Sequence, residues 1–128
     1  MAQQAIETLW LRGDLPALTT QNLIEFWAVA TRPAEANGLG WTPAETKARL
    51  DALTGQFHFL EDTPDVRGQW LALVFVCEIR GKKTHDARLV AVMKVHGVTH
   101  LLTFNRDDFK LFSGITLMEP HELVATPP

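Results

Sequence analysis

At 128 residues, with 46% hydrophobic and 21% charged residues, the chain is sized for one domain with a single sizeable core and is not a disordered polymer. A formal net charge of −3 gives no global attraction to nucleic acid, although an acidic metal site would lower the total and still leave room for a local basic rim. The lone cysteine, Cys77, excludes an internal disulfide, and no apolar run approaches a membrane span or a signal peptide, so a single cytoplasmic domain spanning residues 1–128, with no membrane partner, is the default expectation.

Ala5, Ile6, Leu9 and Trp10 mark one face of a short helix that ends near Gly13. Asp14-Leu15-Pro16 reads as a turn and Ala17 to Thr20 as a short extended piece, with Thr20 placed to cap the next helix. That helix runs from Gln21 to about Thr31 and stops at Arg32-Pro33, because proline pushes the preceding residue out of the helical region. Leu23, Ile24, Phe26, Trp27, Val29 and Ala30 cover most of its surface, leaving a narrow polar stripe that contains Glu25. Such a carboxylate either reaches solvent or has a task, since glutamate is almost never fully buried without a partner.

Residues Ala34 to Trp41 form a loop, after which Thr42-Pro43-Ala44-Glu45 gives a cap, a first-turn proline and a glutamate at the third helical position. This third helix fails at Gly55, and Phe57 to Leu60 is strand-like, ending in Glu61-Asp62. Thr63-Pro64-Asp65 opens a fourth helix that continues through Trp70, Leu73, Val74 and Cys77 to a stop at Gly81. Cys77, inside this apolar run, reads as a small core residue.

Thr84 is placed to cap a fifth helix with Asp86 in its first turn, where a carboxylate is favoured by the unpaired N–H groups. Leu89, Val90, Val92, Met93 and Val95 make that helix apolar on more than one side, and Gly97 ends it. His100 to Phe104 then reads as a buried strand that breaks into Asn105-Arg106-Asp107-Asp108. Phe109 to Phe112 form one helical turn, Ile115 to Met118 a last strand, and His121 to Val124 a short tail before Thr126-Pro127-Pro128. Helices alternating with brief, non-alternating apolar runs indicate α/β architecture with a parallel sheet covered on both faces.

In such a sheet the strand ends and the helix starts that follow them share one edge. Asp86 and the Asn105–Asp108 loop are therefore expected close together, with Glu25 one turn below its own helix start on the same edge. Clustered carboxylates are tolerable mainly around a hard divalent cation, Mg²⁺ or Mn²⁺, which activates water and stabilises phosphoryl charge. Arg32, Lys82, Lys83, Arg88 and Arg106 are candidates for holding phosphates and are equally explained as surface charges. Equally, Asp86 and the pair Asp107 and Asp108 are explained as helix caps. The five histidines show no zinc-ligand spacing, near-absence of serine argues against a serine triad, and no phosphate-binding glycine loop occurs.

The residues Leu18-Thr19-Thr20-Gln21, Glu25-Phe26-Trp27, Thr31-Arg32-Pro33, His85 to Ala91, and Leu101 to Asn105 with Asp108-Phe109 resemble PIN domains. The nearer likeness is to the VapC-like ribonuclease toxins of bacterial toxin–antitoxin pairs, and it covers nearly the whole chain in order. The resemblance implies a three-layer α/β/α fold and a Mg²⁺- or Mn²⁺-dependent endoribonuclease that cuts single-stranded RNA with a metal-activated water. Carried over by position, Glu25, Asp86 and Asp108 would be catalytic, and Asn105, where many members carry aspartate, would join them as metal ligands.

The family also begins with a hydrophobic strand ending in an aspartate, whereas this sequence starts in what would be the following helix, and neither Glu7 nor Asp14 substitutes by position. Impaired catalysis is the corresponding expectation. The competing reading is a non-catalytic PIN-like scaffold that binds an antitoxin-like peptide, RNA or itself. Because the missing strand lies mid-sheet in the family, its loss would leave unpaired backbone groups at roughly 1–3 kcal/mol each. Either the flanking strands Ala17–Thr20 and His100–Phe104 pair directly, or a homodimer supplies the missing contacts.

Overall fold

The computed structural model describes residues 2–125, so the expected Thr126-Pro127-Pro128 tail lies outside the described residues. The chain is mixed α/β and mostly helical, with short parallel strands. It divides into two compact units: the first sixteen residues with everything from Asp62 onward, and the intervening Ala17–Glu61.

In the Ala17–Glu61 unit, β1 (Ala17–Thr19) pairs in parallel with β2 (His58–Leu60), in the register Ala17↔His58 and Thr19↔Leu60. The helix α2 (Thr20–Thr31) is capped by Thr19, one residue before the expected Thr20. Thr19 still has extended backbone at the end of β1, so its hydroxyl accepts the Asn22 N–H while the Asn22 side chain accepts the Thr19 N–H at 2.9 Å. Two orphan donors are thereby satisfied reciprocally. The α2 side chains pack less completely than their apolarity suggests: only Gln21 and Ala30 are buried. Arg32 is extended before Pro33, as expected, and the following loop folds back on the helix end. Leu39 and Trp41 donate to the carbonyls of Val29 and Ala30 at 3.0 and 2.8 Å. Trp41 also meets Phe26 edge-on and carries the Arg49 guanidinium over its ring. Helix α3 (Pro43–Thr54) starts as read, with the Thr42 hydroxyl accepting the Glu45 N–H at 3.1 Å.

The other unit is built on α4 (Asp65–Val76) and α5 (Lys83–Val95), which pack along their length. Ala87, Leu89, Val90 and Met93 of α5 join Phe109 and Phe112 in the buried core, and Trp70, Leu73, Val74, Cys77 and Ile79 pack against it. Trp70 donates its indole N–H to the Thr84 carbonyl at 2.9 Å, tying the two helices at one end. Helix α5 begins at Lys83, two residues before the start expected from a Thr84 cap, and its Lys82 cap has no side-chain cap hydrogen bond. Thr84 is not the cap; its hydroxyl donates to the Gly81 carbonyl. The far end closes as read: Gly97 takes φ of 70°, Val98 N–H donates to Met93 and Gly97 N–H to Lys94.

Beyond it, β3 (His100–Leu102) pairs in parallel with β4 (Thr116–Met118), register Leu101↔Leu117. Each is shorter than its apolar run. The expected His121–Val124 tail is a helix, α6 (Pro120–Ala125), that packs on α1 (Ala2–Leu11), where Ala5 and Leu123 are buried. The described strands thus form two two-stranded parallel pairs, β1 with β2 and β3 with β4. No described helix is long and apolar enough to cross a membrane.

Candidate functional site

The chain leaves β3 two residues before the end of its apolar run because Thr103 turns it. Thr103 N–H still reaches the Met118 carbonyl at 2.9 Å, but its hydroxyl accepts the Asn105 N–H at 3.0 Å, which bends the backbone away from β4. Asn105, exposed, then leads into a 3₁₀ turn, Arg106–Phe109, closed by Asp108 N–H donating to the Asn105 carbonyl at 3.2 Å. Phe109 at the end of the turn is buried in the core and anchors it.

The first turn of α5 reaches the same place. Lys83 Nζ donates to the Asp108 carbonyl at 3.1 Å and stands 3.9 Å from the Asp108 carboxylate. Asp86, half-buried, lies one turn along α5 from Lys83. The structure thus ties the Asn105–Asp108 segment to the helix start that carries Asp86, through an ammonium group expected either to hold phosphate or to be a plain surface charge.

The other expected basic residues divide. Arg88 donates to Asp62 at 3.1 Å, and Arg106 is ion-paired with Glu122. Lys82, at the α5 start, and Arg32, at the α2 end, are both exposed. Neighbouring Asp107 is fully exposed; the hydrogen bond from Lys110 at 2.6 Å, with that residue's charge, holds its carboxyl below the usual range. Asp107 is thus engaged with Lys110, outside the expected ligand set.

Glu25 belongs to the Ala17–Glu61 unit, in the second turn of α2. It is exposed and accepts a hydrogen bond from the Gln21 side chain at 3.3 Å, which fits the solvated alternative for this carboxylate. The sequence reading passed over a further group at the start of α6, where ligand atoms of Glu119, His121 and Glu122 lie within 4.8 Å of one another. The signal was the run Glu119-Pro120-His121-Glu122 at a helix start. These groups are already engaged: His121 contacts Glu119 at 3.2 Å, while Glu122 takes Arg106 and the Glu119 N–H.

No family model matches the sequence, and no curated protein matches it. Among solved structures, a chain of a toxin-antitoxin complex from Klebsiella pneumoniae is similar, at 19% identity and a TM-score of 0.49, over 81% of this chain and 97% of that one.

Proposed function

We propose that the chain is a metal-dependent endoribonuclease of the PIN-domain toxin type, acting on single-stranded RNA. The observation that carries the reading is the tie between the Asn105–Asp108 turn and the first turn of α5, made by Lys83. It sets two acids that the sequence separates by 22 positions, Asp86 and Asp108, on adjoining backbone segments after β3 and at the start of α5. The ordered motifs around Glu25, Asp86 and Asn105–Asp108 add support from the sequence. Read in full, the proposal takes the three-layer α/β/α arrangement of that family.

The donor set suits a hard cation. Asp86, Asp108 and Asn105 offer only oxygen ligands, as Mg²⁺ and Mn²⁺ require, and the resemblance adds Glu25. A bound ion of this kind supplies a hydroxide-like nucleophile and neutralises phosphoryl charge. Lys83 fixes the backbone that presents Asp108, and its charge offsets that carboxylate. The exposed cations Lys82 and Arg32 are available to the phosphates of a bound strand. Asn105 contributes an amide where a carboxylate would bind the ion more tightly, which lowers the expected affinity and rate.

One observation favours the second reading, a scaffold that binds an antitoxin-like peptide, RNA or a second copy. Lys83, Arg88 and Arg106, three of the five candidate phosphate-binding residues, are engaged with the chain's own carboxylates. Cleavage of single-stranded RNA in Mn²⁺ separates the two. The enzyme reading expects slow, chelator-sensitive cleavage that Asp86→Ala and Glu25→Ala each abolish. Absence of cleavage, or cleavage that survives both substitutions, supports the scaffold.

A further inference from the structure

The two phenylalanines that flank the Asn105–Asp108 segment have opposite fates. Phe109 closes the 3₁₀ turn and is 7% exposed, packed in the core with Phe112. Phe104 opens the segment and is 70% exposed, although it ends the apolar run that the sequence assigns to a buried strand. Leu101 and Leu102 of the same run are half-buried in β3. The cause is the Thr103 turn: its N–H holds the Met118 carbonyl and its hydroxyl accepts the Asn105 N–H, so residue 104 sits at the bend between two backbone anchors.

A single exposed apolar side chain is ordinary on a protein surface, and position is what distinguishes this one. Phe104 adjoins Asn105, whose carbonyl accepts the Asp108 N–H at 3.2 Å, and Lys83 holds the Asp108 carbonyl at 3.1 Å. Aromatic ring, amide, carboxylate and ammonium thus follow one another along one short path, with Lys82 exposed beside Lys83. Cations beside an exposed ring are the combination that holds single-stranded nucleic acid: the cations take phosphates, and the ring stacks a base of any identity. A peptide docking through apolar side chains would need a wider patch. The exposed residues that follow Phe104, namely Asn105, Asp107 and Lys110, are polar, so the apolar surface here is one ring wide and matches the face of a base.

We propose that Phe104 is a stacking platform for a base of the RNA strand bound beside Asp86 and Asp108. This role rests on the ribonuclease reading given above. It is tested by the affinity of the full chain for an end-labelled oligoadenylate and for the same ribose-phosphate strand without bases. Ca²⁺ replaces Mn²⁺, and the RNA is checked to be intact at the end. Phe104→Ala removes the ring, Phe104→Leu keeps apolarity without aromaticity, and Phe104→Trp restores a π-face; the exposed position lets all three fold, checked by circular dichroism. The expected result is a wild type that prefers the base-bearing strand, and a loss of at least about fivefold on that strand alone in Phe104→Ala and Phe104→Leu, recovered in Phe104→Trp. Equal affinity of wild type and Phe104→Ala, an equal loss on both strands, or no binding of either strand by the wild type overturns the proposal. Mn²⁺-dependent cleavage that stops in Asp86→Ala, alongside unchanged RNA affinity in Phe104→Ala, would discard the stacking role and keep the ribonuclease reading.

Discussion

At Gly38 the loop after α2 returns so close to the helix end that a Cβ would collide with the Arg32 carbonyl and its Cβ. The neighbouring bonds explain why the approach is fixed: Gly40 donates to the Arg32 carbonyl at 2.9 Å, and Leu39 and Trp41 cap the preceding carbonyls. Nothing on the helix end can yield without breaking these. Gly38→Ala should therefore destabilise the chain by about 1–3 kcal/mol, the range for forced overpacking, read as a lower urea midpoint with unchanged slope. An unaltered midpoint would mean the loop moves freely off Arg32. The same scale governs the candidate site. Lys83 was legible as a positive charge near the motif residues, but its role in holding the Asp108 carbonyl depends on a contact 25 residues away, which no local pattern encodes.

Among the elements, α4 ends against its own sequence signal. Gly81 marks the obvious stop, yet the helix finishes at Val76, and Glu78 takes the left-handed conformation at φ of 51°. The closure is made by Ile79 N–H donating to Val74 at 3.0 Å, and Ile79 then packs on the core, so burying that side chain sets the end. Glu78 bears the steric cost a glycine would not. Glu78→Gly should raise stability by about 0.5–1 kcal/mol, seen as a higher melting temperature; a drop would show that the glutamate side chain contributes more than its backbone strain removes.

Elements with strong local chemistry were readable. The Thr42-Pro43-Glu45 start of α3, the Gly97 stop of α5 and the apolar α5 core helix all stand where the residues put them. What the sequence did not show were ends fixed by tertiary bonds: the Thr103 turn that shortens β3, and α6, whose six residues are held by packing on α1. Of the site, the types and order of Glu25, Asp86, Asn105 and Asp108 were legible. Their environment was not, because exposure of Glu25 and pairing of Arg88 and Arg106 depend on groups distant in sequence.

For the whole molecule, the described strands occur as two parallel pairs, one in each unit. The proposed function rests on chemistry carried by particular side chains, with Asp86 in the first turn of α5 and the Asp108 turn tied to that helix start through Lys83. The most direct test is a Mn²⁺ titration of the wild type beside Asp86→Ala, followed by the paramagnetic signal of the free ion. If these oxygens hold a cation, the substitution should weaken binding at least about tenfold. Equal affinity of the two proteins for Mn²⁺ would contradict the proposed site.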